Sequence, residues 1–204
     1  MINKITPVEY SADVLLQKYI DRIALERYFQ TLLAFNRKVN LVSRETSPAD
    51  LTRLTVESLL PLNVIEKENP DFNISSYLDI GSGGGFPSIP IILSRNIETV
   101  RLLERTAKKA LALEKIIEEL QLKAEILPKN FEEVKFNRTF MLITLRYVKL
   151  TEPLLKRIFR LLDDGGCFVY YSATELELYK NSARLYAFEY SEPAVNKYLT
   201  IYRK

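Results

Sequence analysis

Leu78-Asp79-Ile80-Gly81-Ser82-Gly83-Gly84-Gly85-Phe86-Pro87 is the stretch on which the fold turns. Four of the chain's six glycines fall within five consecutive positions of it, at Gly81, Gly83, Gly84 and Gly85. The apolar run before it reads as a strand over residues 75–80, and Pro87 opens a short helix to about residue 93. Glycines between a strand and a helix let the chain turn sharply and let a ligand approach bare backbone. A flexible loop with no ligand would not concentrate them in this context, so the spacing predicts a nucleotide-like ligand.

The surrounding residues narrow the ligand. A dinucleotide fingerprint requires a third glycine where Phe86 stands, and Pro87 removes a backbone donor that a pyrophosphate would use. No Gly-Lys-Ser/Thr follows, which excludes a phosphate-cradling P-loop. S-adenosylmethionine carries no phosphate and tolerates both losses. Glu104 ends the next strand, at residues 99–103, where a carboxylate can accept hydrogen bonds from ribose hydroxyls. Asp79, the glycines and Glu104 together predict S-adenosylmethionine as cofactor.

Working outward, strands at 124–127, 140–145 and 167–171 alternate with helices starting at Thr106 and at Thr151-Glu152-Pro153. The second of these helices is closed by the turn Asp163-Asp164-Gly165-Gly166. A last helix is expected from 174 to about 183, then strands at 186–190 and 198–202. The connection between those two is too short for a crossover, so they pair antiparallel. The first sixty residues read as helical, with apolar positions three and four apart from Ala12 to Val39. A second helix is capped by Ser47 and interrupted at Pro61. The fold class is therefore α/β, a class I S-adenosylmethionine-dependent methyltransferase. It is Rossmann-like, with a mostly parallel seven-stranded sheet and one antiparallel strand. Residues 1–70 form a helical extension packed on the core, and 71–204 the methyltransferase domain.

Hydrophobic residues make up 47% and charged residues 27%, a globular composition. No apolar run is long enough to cross a bilayer and no signal segment is visible, so a cytoplasmic protein is expected. The chain has one cysteine, Cys167, and no histidine. That excludes imidazole catalysis and removes the commonest metal ligands, so no metal is expected. A net charge of +3 permits a nucleic-acid partner without demanding one.

These residues resemble a known family. The glycine stretch with Phe86-Pro87, then Leu102-Leu103-Glu104-Arg105 with Lys108-Lys109, is similar to the glucose-inhibited division protein B family. Its members are bacterial methyltransferases that modify N7 of a guanine in 16S ribosomal RNA. Phe35-Asn36-Arg37-Lys38-Val39-Asn40-Leu41 resembles that family's W-N-x-x-x-N-L, and Glu57-Ser58-Leu59 its D-S-L. Phe131-Glu132-Glu133 stands at its A-E-E and Arg146 at its R-A pair. The resemblance implies a cofactor site of Asp79, Gly81, Ser82, Gly83, Gly85, Phe86, Glu104, Arg105, Phe131, Glu132 and Arg146. It implies RNA contacts at Asn36, Arg37, Lys38, Asn40, Lys108, Lys109 and Arg146, with ribosomal RNA or the 30S subunit as partner of a monomeric enzyme. The sequence departs from the pattern at Leu54, Ser88, Met141, Tyr147, Ser172 and Ala173.

Guanine N7 carries an in-plane lone pair and no proton, so its methylation needs alignment and no general base. The absence of histidine is consistent with that chemistry. Two other functions fit the same residues: a methyltransferase with a substrate other than ribosomal RNA, and a diverged S-adenosylmethionine-binding protein without activity.

Overall fold

A computed structural model describes residues 5–174, 183–189 and 196–204. Along the chain run β1 (Ile5–Pro7), α1 (Ala12–Tyr19), α2 (Arg22–Asn36), α3 (Pro48–Glu68), β2 (Ser76–Ile80) and α4 (Ser88–Ser94). Next come β3 (Thr99–Leu103), α5 (Ala107–Glu119), β4 (Glu125–Leu127), a 3-10 turn at Phe131–Glu133, β5 (Phe140–Arg146) and α6 (Glu152–Leu161). The chain closes with β6 (Leu162–Ser172), β7 (Ala183–Glu189) and β8 (Asn196–Arg203).

Among the described residues one sheet carries every strand, in the order β1-β7-β8-β6-β5-β2-β3-β4. Only β8 runs against its neighbours, β6 and β7; all other pairs are parallel. Alternate strand residues bury on opposite faces. Tyr77, Leu102, Leu142 and Val169 join Leu15, Tyr28, Leu59 and Leu113 of the helices on one side. Leu78, Leu103, Ile143 and Phe168 meet Leu155 and Ile158 of α6 on the other. Strand β2 lies between β3 and β5, so the chain reverses its direction of travel across the sheet there. In open parallel sheets that switch point, at the carboxyl ends of the strands, is where ligands bind.

The structure departs from the sequence reading in several elements, and the helical run expected from Ala12 to Val39 is split at Ile20-Asp21 into α1 and α2. First, the sheet has eight strands: β2 to β8 are the seven expected, and β1 is added where helix was expected, paired parallel to β7. Second, α3 does not stop at Pro61 but continues to Glu68. A proline inside a helix costs about 3 kcal/mol. Burying Leu59, Leu60, Leu62 and Ile65, each at most 1% exposed, returns about 1.5–3 kcal/mol per side chain and outweighs it. Third, the turn at 163–166 lies inside β6 rather than before it. The pairing with β5 steps from Phe140–Leu162 to Leu142–Cys167, so the extra residues bulge out, and Gly165 takes a φ of +78° there. The helix expected after residue 174 falls on residues 175–182, outside the described residues.

Candidate active site

The glycine turn is folded by its own backbone and by the next strand. The amides of Gly81 and Ser82 donate to the carbonyl of Leu103 at 2.9 and 2.8 Å, and Gly85 N–H closes back on Ser82 O at 2.7 Å. Gly83 N–H donates to Glu104 Oε2 at 3.0 Å. Glu104 Oε1 accepts from Thr106 N–H at 2.8 Å. Thr106 thus enters α5 by its amide, and its side chain makes no capping bond. Each carboxylate oxygen retains a lone pair for a further donor.

Below the turn lies Asp79, 1% exposed. Its Oδ1 accepts from Thr144 Oγ1 at 2.6 Å, and Thr144 is in turn 2.8 Å from Tyr77 Oη. Burial pushes the Asp79 carboxyl above the usual carboxylate range, while Thr144, Ser82, Ser88 and the charge of Arg146 pull the other way. Among the described residues its Oδ2 has no hydrogen-bond partner.

A second charged group closes the floor. Arg146, at the end of β5, donates from Nη2 to Glu57 Oε2, and Lys197 Nζ of β8 donates to Glu57 Oε1 at 2.6 Å. The Arg146 side chain is 7% exposed and Glu57 1%. A buried carboxylate between two cations joins α3, β5 and β8 beside the turn.

Two clefts meet above these groups. The first, of about 710 Å³, is walled by Gly81–84, Phe86, Arg146 and Tyr147 on one side and by residues 41–43, 45 and 46, Asp50, Arg53 and Leu54 on the other. The second, of about 500 Å³, is bordered by Leu103, Glu104, Arg105, Asn130, Phe131 and Glu132. Gly81, Lys109 and Tyr147 belong to both.

Most residues expected at the cofactor site come together here. Gly81, Ser82, Gly83, Phe86 and Arg146 line the first cleft, and Glu104, Arg105, Phe131 and Glu132 the second. Gly85 is buried behind, against Ile89. Of the residues expected at RNA, Arg37, Lys38, Asn40 and Lys108 are exposed and Lys109 lines both clefts. Asn36 is a correction: it is buried, and its Oδ1 accepts from the amides of Leu41 and Val42 at 2.8 and 3.0 Å. It shapes the cleft wall and does not face a ligand. Among the departures from the family pattern, Leu54 and Tyr147 line the first cleft and Ser88 is buried behind it. Met141 sits at the opposite, amino end of β5, its amide bonded to Ser76 Oγ.

Sequence reasoning named Glu57 only within its motif and passed over Thr144, Lys197 and Tyr28, whose Oη donates to Gly84 O at 2.9 Å beneath the turn. Glu57 had a signal in the motif it shares with Ser58 and Leu59, and it is the lone acid between Asp50 and Glu66. Tyr28 had none, because its partner is 56 residues away.

The sheet's switch point, with a carboxylate drawn across it to the glycine turn, defines the class: an S-adenosylmethionine-dependent methyltransferase of class I. Residues 21–200 match the family model of rRNA small subunit methyltransferase G. The chain is 34% identical over 156 residues to ribosomal RNA small subunit methyltransferase G of Borrelia turicatae, an alignment covering 76% of this chain and 72% of that one. To the protein of the same name from Helicobacter acinonychis it is 35% identical over 154 residues, covering 75% and 83%. The O-methyltransferase from Bacillus cereus, solved in complex with SAH, shares the fold at a TM-score of 0.60 and 17% identity, with 94% of each chain covered. The chain belongs to the rRNA small subunit methyltransferase G family.

Proposed function

We propose that the chain methylates N7 of a guanine in 16S ribosomal RNA, using S-adenosylmethionine. The observation that carries this reading is the pair of clefts joined at Gly81, Lys109 and Tyr147. One has the fittings for a nucleoside and the other is lined by Lys109, Arg146 and Arg53 together with Glu45 and Asp50. Glu104 keeps lone pairs for ribose hydroxyls, and Phe131 offers an apolar edge to a base. Gly83 leaves space beside the turn, because a Cβ there would meet nothing closer than 3.9 Å.

S-adenosylmethionine bound there supplies a methyl group activated by a positively charged sulfur. The residues of the chain orient and exclude water. Arg146, fixed by Glu57, fills the floor, and Phe86 packs on Tyr28 with ring centroids 5.4 Å apart. No side chain has to accept a proton from N7, which fits a site without imidazole. Exposed Arg37, Lys38 and Lys108, with Lys109 at the junction, supply charge for phosphates. A ribosomal substrate fits a cytoplasmic reaction, and we propose that the enzyme works as a monomer. Residues 1–70 act as an extension that walls the substrate side of the domain formed by residues 71–204.

The test is methyl transfer from labelled S-adenosylmethionine to 30S subunits and to naked 16S rRNA lacking the modification. Label is expected at a single guanine, which becomes labile to reduction and aniline cleavage, the signature of N7 methylation. Label on another atom, or none on RNA, overturns the reading.

A further inference from the structure

Tyr147 is the residue of this site that fold and packing leave unexplained. It is bulky, yet its backbone is left-handed at a φ of +53°. Among the described residues one other non-glycine shares that conformation, Gln121. Gln121 follows the last turn of α5, where chains commonly pass through the left-handed region to end a helix. Tyr147 follows a strand and has no such reason. Backbone strain without a local cause concentrates at sites that bind or react. Here it is held in place by the Tyr147 amide, which donates to Tyr171 O at 3.1 Å.

What the strained backbone achieves is the position of the ring. It is 49% exposed, although aromatic rings of this size usually bury. It borders both clefts, at the place where they join. Two cations fix it before any ligand arrives: the Arg146 guanidinium carbon lies 5.0 Å from the ring centroid and Lys197 Nζ 5.7 Å. Both are tied to Glu57. The other tyrosines near the site do not compete. Tyr170 and Tyr171 are 6% and 2% exposed, and Tyr171 Oη is spent on Ser58 O.

We propose that the Tyr147 ring is the stacking platform for the acceptor base, a role that rests on the RNA substrate proposed above. A base leaving its helix loses its stacking partners, and an aromatic side chain restores one. The second cleft already has an aromatic wall in Phe131, so the half-exposed ring at the junction serves the group entering through the first. Stacking uses the ring face and leaves the in-plane lone pair of N7 unobstructed.

The chain has no tryptophan, so Tyr147→Trp in the full-length protein creates a single fluorescent reporter. With S-adenosylhomocysteine present, addition of 16S rRNA is expected to quench most of its emission, because guanine quenches a stacked indole. Dextran sulfate, a polyanion without bases, is expected to leave it unchanged. Unaltered emission with RNA, or equal quenching by dextran sulfate, overturns the proposal. In steady-state assays Tyr147→Phe, which keeps the ring, should raise KM for RNA far less than Tyr147→Ala. Tyr147→Ala should raise KM for RNA about tenfold, within the range of one lost stacking contact, with KM for S-adenosylmethionine unmoved. A shift confined to the cofactor's KM would give the ring to adenosine and overturn the assignment. The readouts separate two failures: a parent protein that labels no RNA defeats the proposed function, while the tryptophan signal still decides whether a base stacks here.

Discussion

Within the glycine turn, neighbouring residues of one type serve different ends. Gly83 and Gly85 have φ angles of +52° and +91°. A Cβ on Gly83 would find room, whereas on Gly85 it would sit 2.5 Å from Ile89 Cδ1. Gly83→Asp should therefore fold, since aspartate tolerates the left-handed region, at a cost of about 1 kcal/mol. Its carboxylate would project beside Glu104 and into the cofactor's space, so calorimetry should show no heat with S-adenosylmethionine. Gly85→Ala should instead lower unfolding stability by about 2–4 kcal/mol through strain and overpacking. A Gly83→Asp protein that binds the cofactor as the parent does would remove the cradle from the site. The glycine spacing made the turn legible in the sequence, but not this division of labour, which depends on where Ile89 lies. Asn36 is the same lesson in reverse. A polar residue in a basic stretch reads as a ligand contact until its amide is seen to be used by the backbone of Leu41 and Val42.

At the scale of elements, local signals located strands and helices wherever local chemistry decides them, and failed where burial or pairing does. Strand β3 has the bounds expected of it, because its apolar run ends at a charged residue. Pro61 misled because the stop signal is local and the burial that overrides it is not. Short β1 was illegible because its pairing partner, β7, lies some 180 residues away. The Arg146–Glu57–Lys197 cluster is likewise a product of assembly, joining three elements far apart in the chain. Removing one charge from a buried pair strands its partner and costs about 3–5 kcal/mol. Glu57→Gln leaves two cations facing each other, so its loss of stability in urea denaturation should lie in that range. Lys197→Met should cost less than half as much, because Arg146 still compensates Glu57. Equal losses from the two variants would mean that Lys197 carries as much of the neutralisation as Arg146. Methyl transfer should fall more with Glu57→Gln than with Lys197→Met, since Arg146 loses its hold only in the former.

For the molecule as a whole, charge and shape act together. Tyr28 of α2 supports the cofactor turn from below, and the segment that follows α2, with Leu41 against Gly84, walls the substrate cleft. Exposed Arg37 and Lys38 therefore stand a few residues from that wall, while Lys108 and Lys109 open α5 on the opposite side of the glycine turn. A net charge of only +3 supplies little long-range attraction, so RNA affinity has to come from a few close phosphate contacts. Each such contact releases condensed counterions, adding about 0.7–0.9 to the slope of log affinity against log salt. Arg37→Ala and Lys108→Ala should each weaken RNA binding and flatten that slope by about one. Tyr147→Ala should weaken binding and leave the slope untouched, because stacking releases no counterions. Filter binding of 16S rRNA between about 50 and 200 mM salt, the range over which such contacts dominate, separates the two behaviours. If the slope of the Arg37 and Lys108 variants matches the parent, these exposed cations are not where the phosphates lie, and RNA must approach the first cleft from another side.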